Sequence, residues 1–214
     1  MPTVKGTWVV DYVKMINGHL KKNMGLKKLA DQEEKQRIFA QFNKQLPITE
    51  RLTADDWEIM SSMILPSAKY DYEIFQRIGN ATFKVVAQSN KDLVRLFGRG
   101  FMNSLLATYK NLLVIGDPGA SLKKFCNFHG QYFDEVKSKA ELISASSNQA
   151  IVELNLTGED NHYPDSATAF AYQLGGSFET MVALSLGKET PEEANIELNI
   201  KEDGDGKYTY TISW

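Results

Sequence analysis

Cysteine is almost missing from this sequence of 214 residues: Cys126 is the only one. A single cysteine excludes an intramolecular disulfide and any cage of several thiolates around a metal ion. Its neighbours Phe125 and Phe128 mark it as a small buried hydrophobe, with a nucleophile or acylation site as the sharper reading. Histidine is scarce as well. His19, His129 and His162 stand far apart, and none has the His-x-x-x-His or His-Glu-x-x-His spacing that sets two ligands on one helix face. No run comes near the roughly 18 apolar residues that a membrane-spanning helix requires. Residues 1–25 alternate polar and apolar side chains and lack the continuous apolar core of a secretory signal. The expected setting is therefore soluble, reducing and cytoplasmic. A net charge of −3 supplies no broad positive surface, which argues against nucleic acid as a partner.

Catalytic motifs are missing too. Gly98, Arg99 and Gly100 are too short a run for a phosphate-binding glycine loop and follow no strand. No serine stands in a nucleophile-elbow context. The acidic turn from Asp203 to Gly206 lacks the remaining ligands of a calcium loop, and its Asp-Gly steps fit a tight hairpin instead. The expectation is a protein that is not an enzyme.

What is present is an ordinary soluble composition, 43% apolar and 24% charged, in a chain long enough to bury a substantial core. Apolar residues recur at helical spacing over 4–20, 26–42, 70–88 and 97–115. Thr53 followed by Asp55 and Asp56 signals a helix start at residue 53, and a short helix is expected over 121–129. The last third reads differently. Val152, Leu154 and Leu156 alternate with Glu153 and Asn155 as in a half-buried strand. A long helix follows from about Asp165 to Leu186, and it carries Gly175 and Gly176 in its middle. Ile196, Leu198 and Ile200 then pair with Tyr208, Tyr210, Ile212 and Trp214 across the acidic turn. The fold class expected is α+β: an N-terminal helical bundle packed on a small antiparallel sheet, with a long C-terminal helix and a terminal hairpin. One domain over 1–214 is expected, helical over 1–130 and sheet plus helix over 131–214.

Four segments in this order carry a resemblance: Val4 to Thr7 before an amphipathic helix, Gly98 to Gly100, the Gly-Asp-Pro turn at 116–118, and the Gly-Gly helix followed by the hairpin. Together they resemble a superfamily of ligand-binding domains. It comprises the haem–nitric-oxide-binding sensors, the 4-vinyl-reductase domains and the small TRAPP subunits, and the likeness is greatest to bacterial relatives of the haem-binding branch. The resemblance implies a cavity between helices and sheet for an apolar ligand or cofactor. It also implies a homodimer or signalling protein partner that reads occupancy. Departures are equally informative. The Tyr-x-Ser-x-Arg motif that grips haem propionates in the sensors does not occur here, and residues 187–214 hold none of the cysteines common in the 4-vinyl-reductase domains. Cys126 is the one residue that could carry an acyl chain as in TRAPP subunits.

Two stretches supply the candidate pocket. Each glycine inside a helix costs about 1 kcal/mol relative to alanine, so Gly175 and Gly176 require compensation, either from close packing or from a ligand against the backbone. Phe170, Leu174, Phe178 and Met181 share their stripe. Phe125, Phe128, His129, Tyr132 and Phe133 form the second stretch. His129 is either a hydrogen-bonded histidine at a helix end or, in the alternative, the axial ligand of a haem. The leading expectation is a cofactor-free module holding a small apolar molecule or lipid. A haem-based nitric oxide or oxygen sensor is the alternative, and a ligand-free interaction module with Tyr208, Tyr210 and Trp214 at a dimer interface is the third.

Overall fold

Asp117, Asp31 and Thr53 each stop the chain from wandering before a helix, because a short oxygen-bearing side chain satisfies a backbone N–H that the first turn leaves open. A computed structural model of the protein describes residues 2–134, 138–156 and 163–214, and these caps recur through it. Strand β1 (Thr3–Lys5) leads into α1 (Gly6–Asn23). Helix α2 (Gln32–Asn43) starts where Asp31 accepts from the Glu34 N–H, six residues after the expected start at 26. Gly25, at φ +74°, turns the chain out of helix after α1. Helix α3 (Ala54–Ser61) opens on a reciprocal capping box between Thr53 and Asp56.

Strand β2 (Lys69–Asp71) pairs antiparallel with β1. Helix α4 (Tyr72–Ala81) runs on into a π-helical turn at Thr82–Val86, so the expected helix over 70–88 changes its winding partway. Helix α5 (Lys91–Thr108) begins six residues before the expected position. Gly98 therefore lies in the middle of a helix and does not open one. Helix α6 (Pro118–Gly130) has Asp117 as its cap and Pro118 in its first turn, where a missing N–H costs nothing.

The second sheet has the order β4-β5-β7-β6, all antiparallel, from β4 (Lys139–Ala145), β5 (Gln149–Asn155), β6 (Glu197–Gly204) and β7 (Lys207–Ser213). Its hairpin register sets Leu198 opposite Ile212 and Ile200 opposite Tyr210. Gly204, Asp205 and Gly206 all take positive φ in the turn. Val152 and Leu154 of β5 face Tyr210 and Tyr208 of β7. A short β3 (Phe133–Asp134) precedes this sheet, and α7 (Pro164–Ser185) interrupts it. The α+β class is as expected from the sequence. Among the described residues no helix is long and apolar enough to cross a membrane.

The chain forms two compact units. One comprises everything up to Asn90 with the first turns of α7 as far as Ala169; the other is everything described from Lys91 onward except those turns. Trp8, Tyr12, Ile16, Phe42, Phe75 and Ile78 fill the first core, and Phe125, Phe170, Phe178, Tyr210 and Ile212 fill the second. Tyr208 and Tyr210 are buried in that core, with the Tyr210 hydroxyl donating to the Ala171 carbonyl at 2.9 Å. The face that the alternation left open for a dimer interface is thus spent inside the molecule.

Candidate functional site

Helix α6 places its side chains by simple periodicity. Phe125 and His129 are one turn apart and both point inward, with no exposed surface. The His129 ring lies 4.8 Å from that of Phe133 and stacks on Phe170 of α7 at 5.6 Å. Its Nε2 sits 3.0 Å from the Ser138 hydroxyl. Burial lowers the imidazole pKa to about 3, because desolvation penalises the protonated ring. At neutral pH the ring is therefore uncharged, the form in which histidine ligates a metal.

The lowered pKa has a consequence for stability. In the unfolded chain the ring titrates near 6.5, so below that pH the unfolded state takes up the proton first. The contribution is complete above about 6.5 and is lost as pH falls toward 3, by about 1.4 kcal/mol per pH unit. Urea unfolding of wild type and His129→Asn between pH 7 and 5 checks it. The variant is expected to lose that part of the slope, whereas parallel slopes would mean the folded ring is hydrated and titrates normally.

The remaining candidates divide into separate groups. Phe125 meets Phe178 edge-on at 5.8 Å, and Phe178 meets Tyr210 at 5.0 Å. Phe128 and Tyr132 pack on a different side of α6, with Tyr109 4.9 Å from Phe128 and Tyr132 4.3 Å from it. Leu174 and Met181 are wholly buried. The two helix glycines look in different directions. A Cβ on Gly175 would meet the side-chain ends of Ile200 and Leu198 of β6, and one on Gly176 would meet the Arg95 carbonyl of α5. The pair lets α7 pass between a helix and a strand, which is the close-packing explanation for glycine here. Ser138 was not legible as a partner for His129, since it lies nine residues on with no local motif. His162 lies outside the described residues.

Cys126 is buried, and that burial, with the nearby Glu141 charge, pushes its thiol up to about 12. A thiol that stays protonated is a poor nucleophile. Among the described residues no group of three or more His, Cys, Asp or Glu side chains could hold a metal ion.

A haem makes two demands on a protein, an axial ligand and a grip on its propionates. His129 meets the first, as a neutral imidazole walled by Phe133 and Phe170. The second has no counterpart among the core arginines of this unit. Arg95 and Arg99 are both committed to the Glu179 carboxylate, at 2.7 and 3.0 Å, and no Tyr-x-Ser-x-Arg motif occurs.

No protein-family model matches the chain, and no curated protein sequence matches it. Solved structures do. A mutant of the Fe(II) unliganded H-NOX protein from K. algicida superposes with a TM-score of 0.56 at 13% identity, covering 98% of this chain and 95% of that one. A mutant of the T. Tengcongensis H-NOX domain gives 0.53 at 11% identity, covering 98% and 96%. The Cs H-NOX domain carrying an unnatural amino acid gives 0.55 at 12%, covering 98% and 95%. The chain has the fold of H-NOX domains, the haem–nitric-oxide-binding branch that its segment order resembles.

Proposed function

We propose that this chain is a non-catalytic sensory domain that takes haem on His129 and reports a bound gas to a signalling partner. The reading departs from the cofactor-free one expected from composition and motifs. The observation that carries it is the wholly buried, uncharged His129 ring between Phe133 and Phe170, in a fold whose solved examples include an Fe(II) protein. When bound, haem supplies an iron with an open position for a diatomic gas. The chain's own residues do the rest: His129 offers a nitrogen lone pair, and the two phenylalanines keep water from it.

Ser138 competes for the His129 Nε2 in the haem-free protein. A hydrogen bond of this kind contributes about 0.5–1.5 kcal/mol, so Ser138→Ala is expected to tighten haem binding by up to about tenfold. An absorbance titration of both proteins measures it, and a weaker Ser138→Ala complex would mean that the serine supports the ligand instead.

The absent propionate motif favours a second reading, in which the same fold holds a small apolar molecule or lipid. Native mass spectrometry of protein made in haem-supplied cells separates the two. One added haem per chain is expected. A lipid-sized addition, or the bare sequence mass, would reject haem; the former would support the second reading.

A further inference from the structure

We propose that the cleft between α2 and α3 binds a free aromatic amino acid, recognised by its ring and by both of its charges. The cleft has a volume of about 750 Å3, within the range of roughly 300–1,000 Å3 typical of small-molecule sites. Its shape follows from two contacts. Asn43, at the end of α2, donates to the Leu52 carbonyl at 2.9 Å and accepts from the Leu52 N–H at 3.1 Å, which ties that end of α2 to the start of α3. Just above this clasp the Phe39 and Trp57 rings stack face to face, 4.1 Å apart and 5° from parallel. The two helices thus close at one end and part toward the other.

The lining is chemically specific. Gln32, Lys35, Phe39 and Asn43 follow the i, i+3, i+7, i+11 course of a single helix stripe, so one side of α2 faces the cleft along its whole length. Trp57 covers one face of Phe39, while the half-buried Phe39 ring itself lines the cleft. A planar ligand can continue that stack. Trp57 is buried against Phe39 and Phe42, and its indole N–H has no acceptor among the described residues. Lys35 lies one turn before Phe39 on α2, and Glu58 follows Trp57 on α3; both line the cleft, and neither forms an ion pair among the described residues.

A ring seated on Phe39 brings a carboxylate within reach of Lys35 and an ammonium within reach of Glu58. An anion alone would meet Glu58 with like charge, and a cation alone would meet Lys35. The zwitterion is the class that satisfies both walls. This site involves neither His129 nor haem, so it stands whether or not the chain binds a cofactor.

The test uses the full chain without added haem and the 15N–1H indole signal of Trp57, assigned by its loss in Trp57→Phe. Four ligands are titrated: L-phenylalanine, phenylacetate, phenethylamine and N-acetylphenylalaninamide. L-phenylalanine is expected to move the signal saturably with a Kd of about 0.1–1 mM. It should bind at least about tenfold tighter than the other three, and Lys35→Gln and Glu58→Gln should each weaken it by at least about fivefold. Both substitutions are at the cleft wall and leave the core intact. Silence from all four ligands at about 10 mM overturns the proposal. So does equal binding of all four, which would describe a greasy surface or a docking groove for a partner's peptide. Tighter binding of phenylacetate or phenethylamine alone likewise overturns the zwitterion assignment.

Discussion

Alanine at Gly176 is expected to destabilise the protein by about 3 kcal/mol or more, as the upper range of overpacking effects. The added Cβ would stand 1.9 Å from the Arg95 carbonyl oxygen and 3.1 Å from the Arg99 nitrogen, both backbone atoms of α5. Backbone cannot rotate aside, so α5 and α7 must separate. Gly98 is the matching contact from the other helix, with its Cβ 1.8 Å from the Gln173 carbonyl oxygen, and Gly98→Ala should cost as much. The Ser177 hydroxyl donates to the Gly98 carbonyl at 3.1 Å, which fixes the same crossing. Two neighbours serve as controls. Gly100 has nothing within 4 Å of its Cβ position, so alanine there should add up to about 1 kcal/mol through helix propensity. Gly175→Ala meets most closely the ends of Ile200 and Leu198, which can shift, with the Tyr210 ring at an ordinary 3.6 Å, and is expected to be far milder than Gly176→Ala. Denaturant midpoints of the four variants check the pattern. A Gly176→Ala protein as stable as wild type would show that the helices do not cross this closely.

Removing the Glu179 carboxylate has the second large effect. Its side chain is 1% exposed, and it takes Arg95 at 2.7 Å and Arg99 at 3.0 Å. Arg99 reaches on to Glu192 at 2.5 Å. Burial would lower the Arg99 pKa, but Glu179 and Glu192 outweigh it and hold the guanidinium raised. Glu179→Ala leaves two partly buried guanidiniums facing an empty site, at an expected cost of about 3–5 kcal/mol. Replacing all three residues with apolar side chains of similar size should recover much of that loss, because paired burial is itself expensive. Urea unfolding of the single and triple variants measures both. A triple variant no more stable than Glu179→Ala would mean that the ion cluster contributes beyond its own desolvation cost.

Much of the architecture could be read from local chemistry. The Thr53 start, the strand over 150–156, the glycine-bearing helix and the hairpin register each follow from residues a few positions apart, where capping, alternation and turn preference act. Features set by distant partners were not legible. Strand β4 buries only Ala140 and exposes Glu141 and Ile143, so its sequence does not alternate as a two-sided strand would. Helix α5 starts six residues before the apolar repeat over 97–115, and the smallness of Gly98 within it serves the α7 backbone 75 residues later. At the candidate site, His129 stood out by its aromatic neighbours, but Phe170 and Ser138 reach it only through the fold. Gly175 and Gly176 are legible in the sequence through their lack of a side chain, which here admits a strand on one side and a helix on the other.

His129 is the ligand through which we propose that this chain holds haem. Titration of the purified protein with haem, followed in the Soret region, tests it most directly. Saturation is expected at about one haem per chain, with the band lost or shifted to that of free haem in His129→Ala. A protein that stays colourless, or a His129→Ala variant whose spectrum and stoichiometry match wild type, would contradict it.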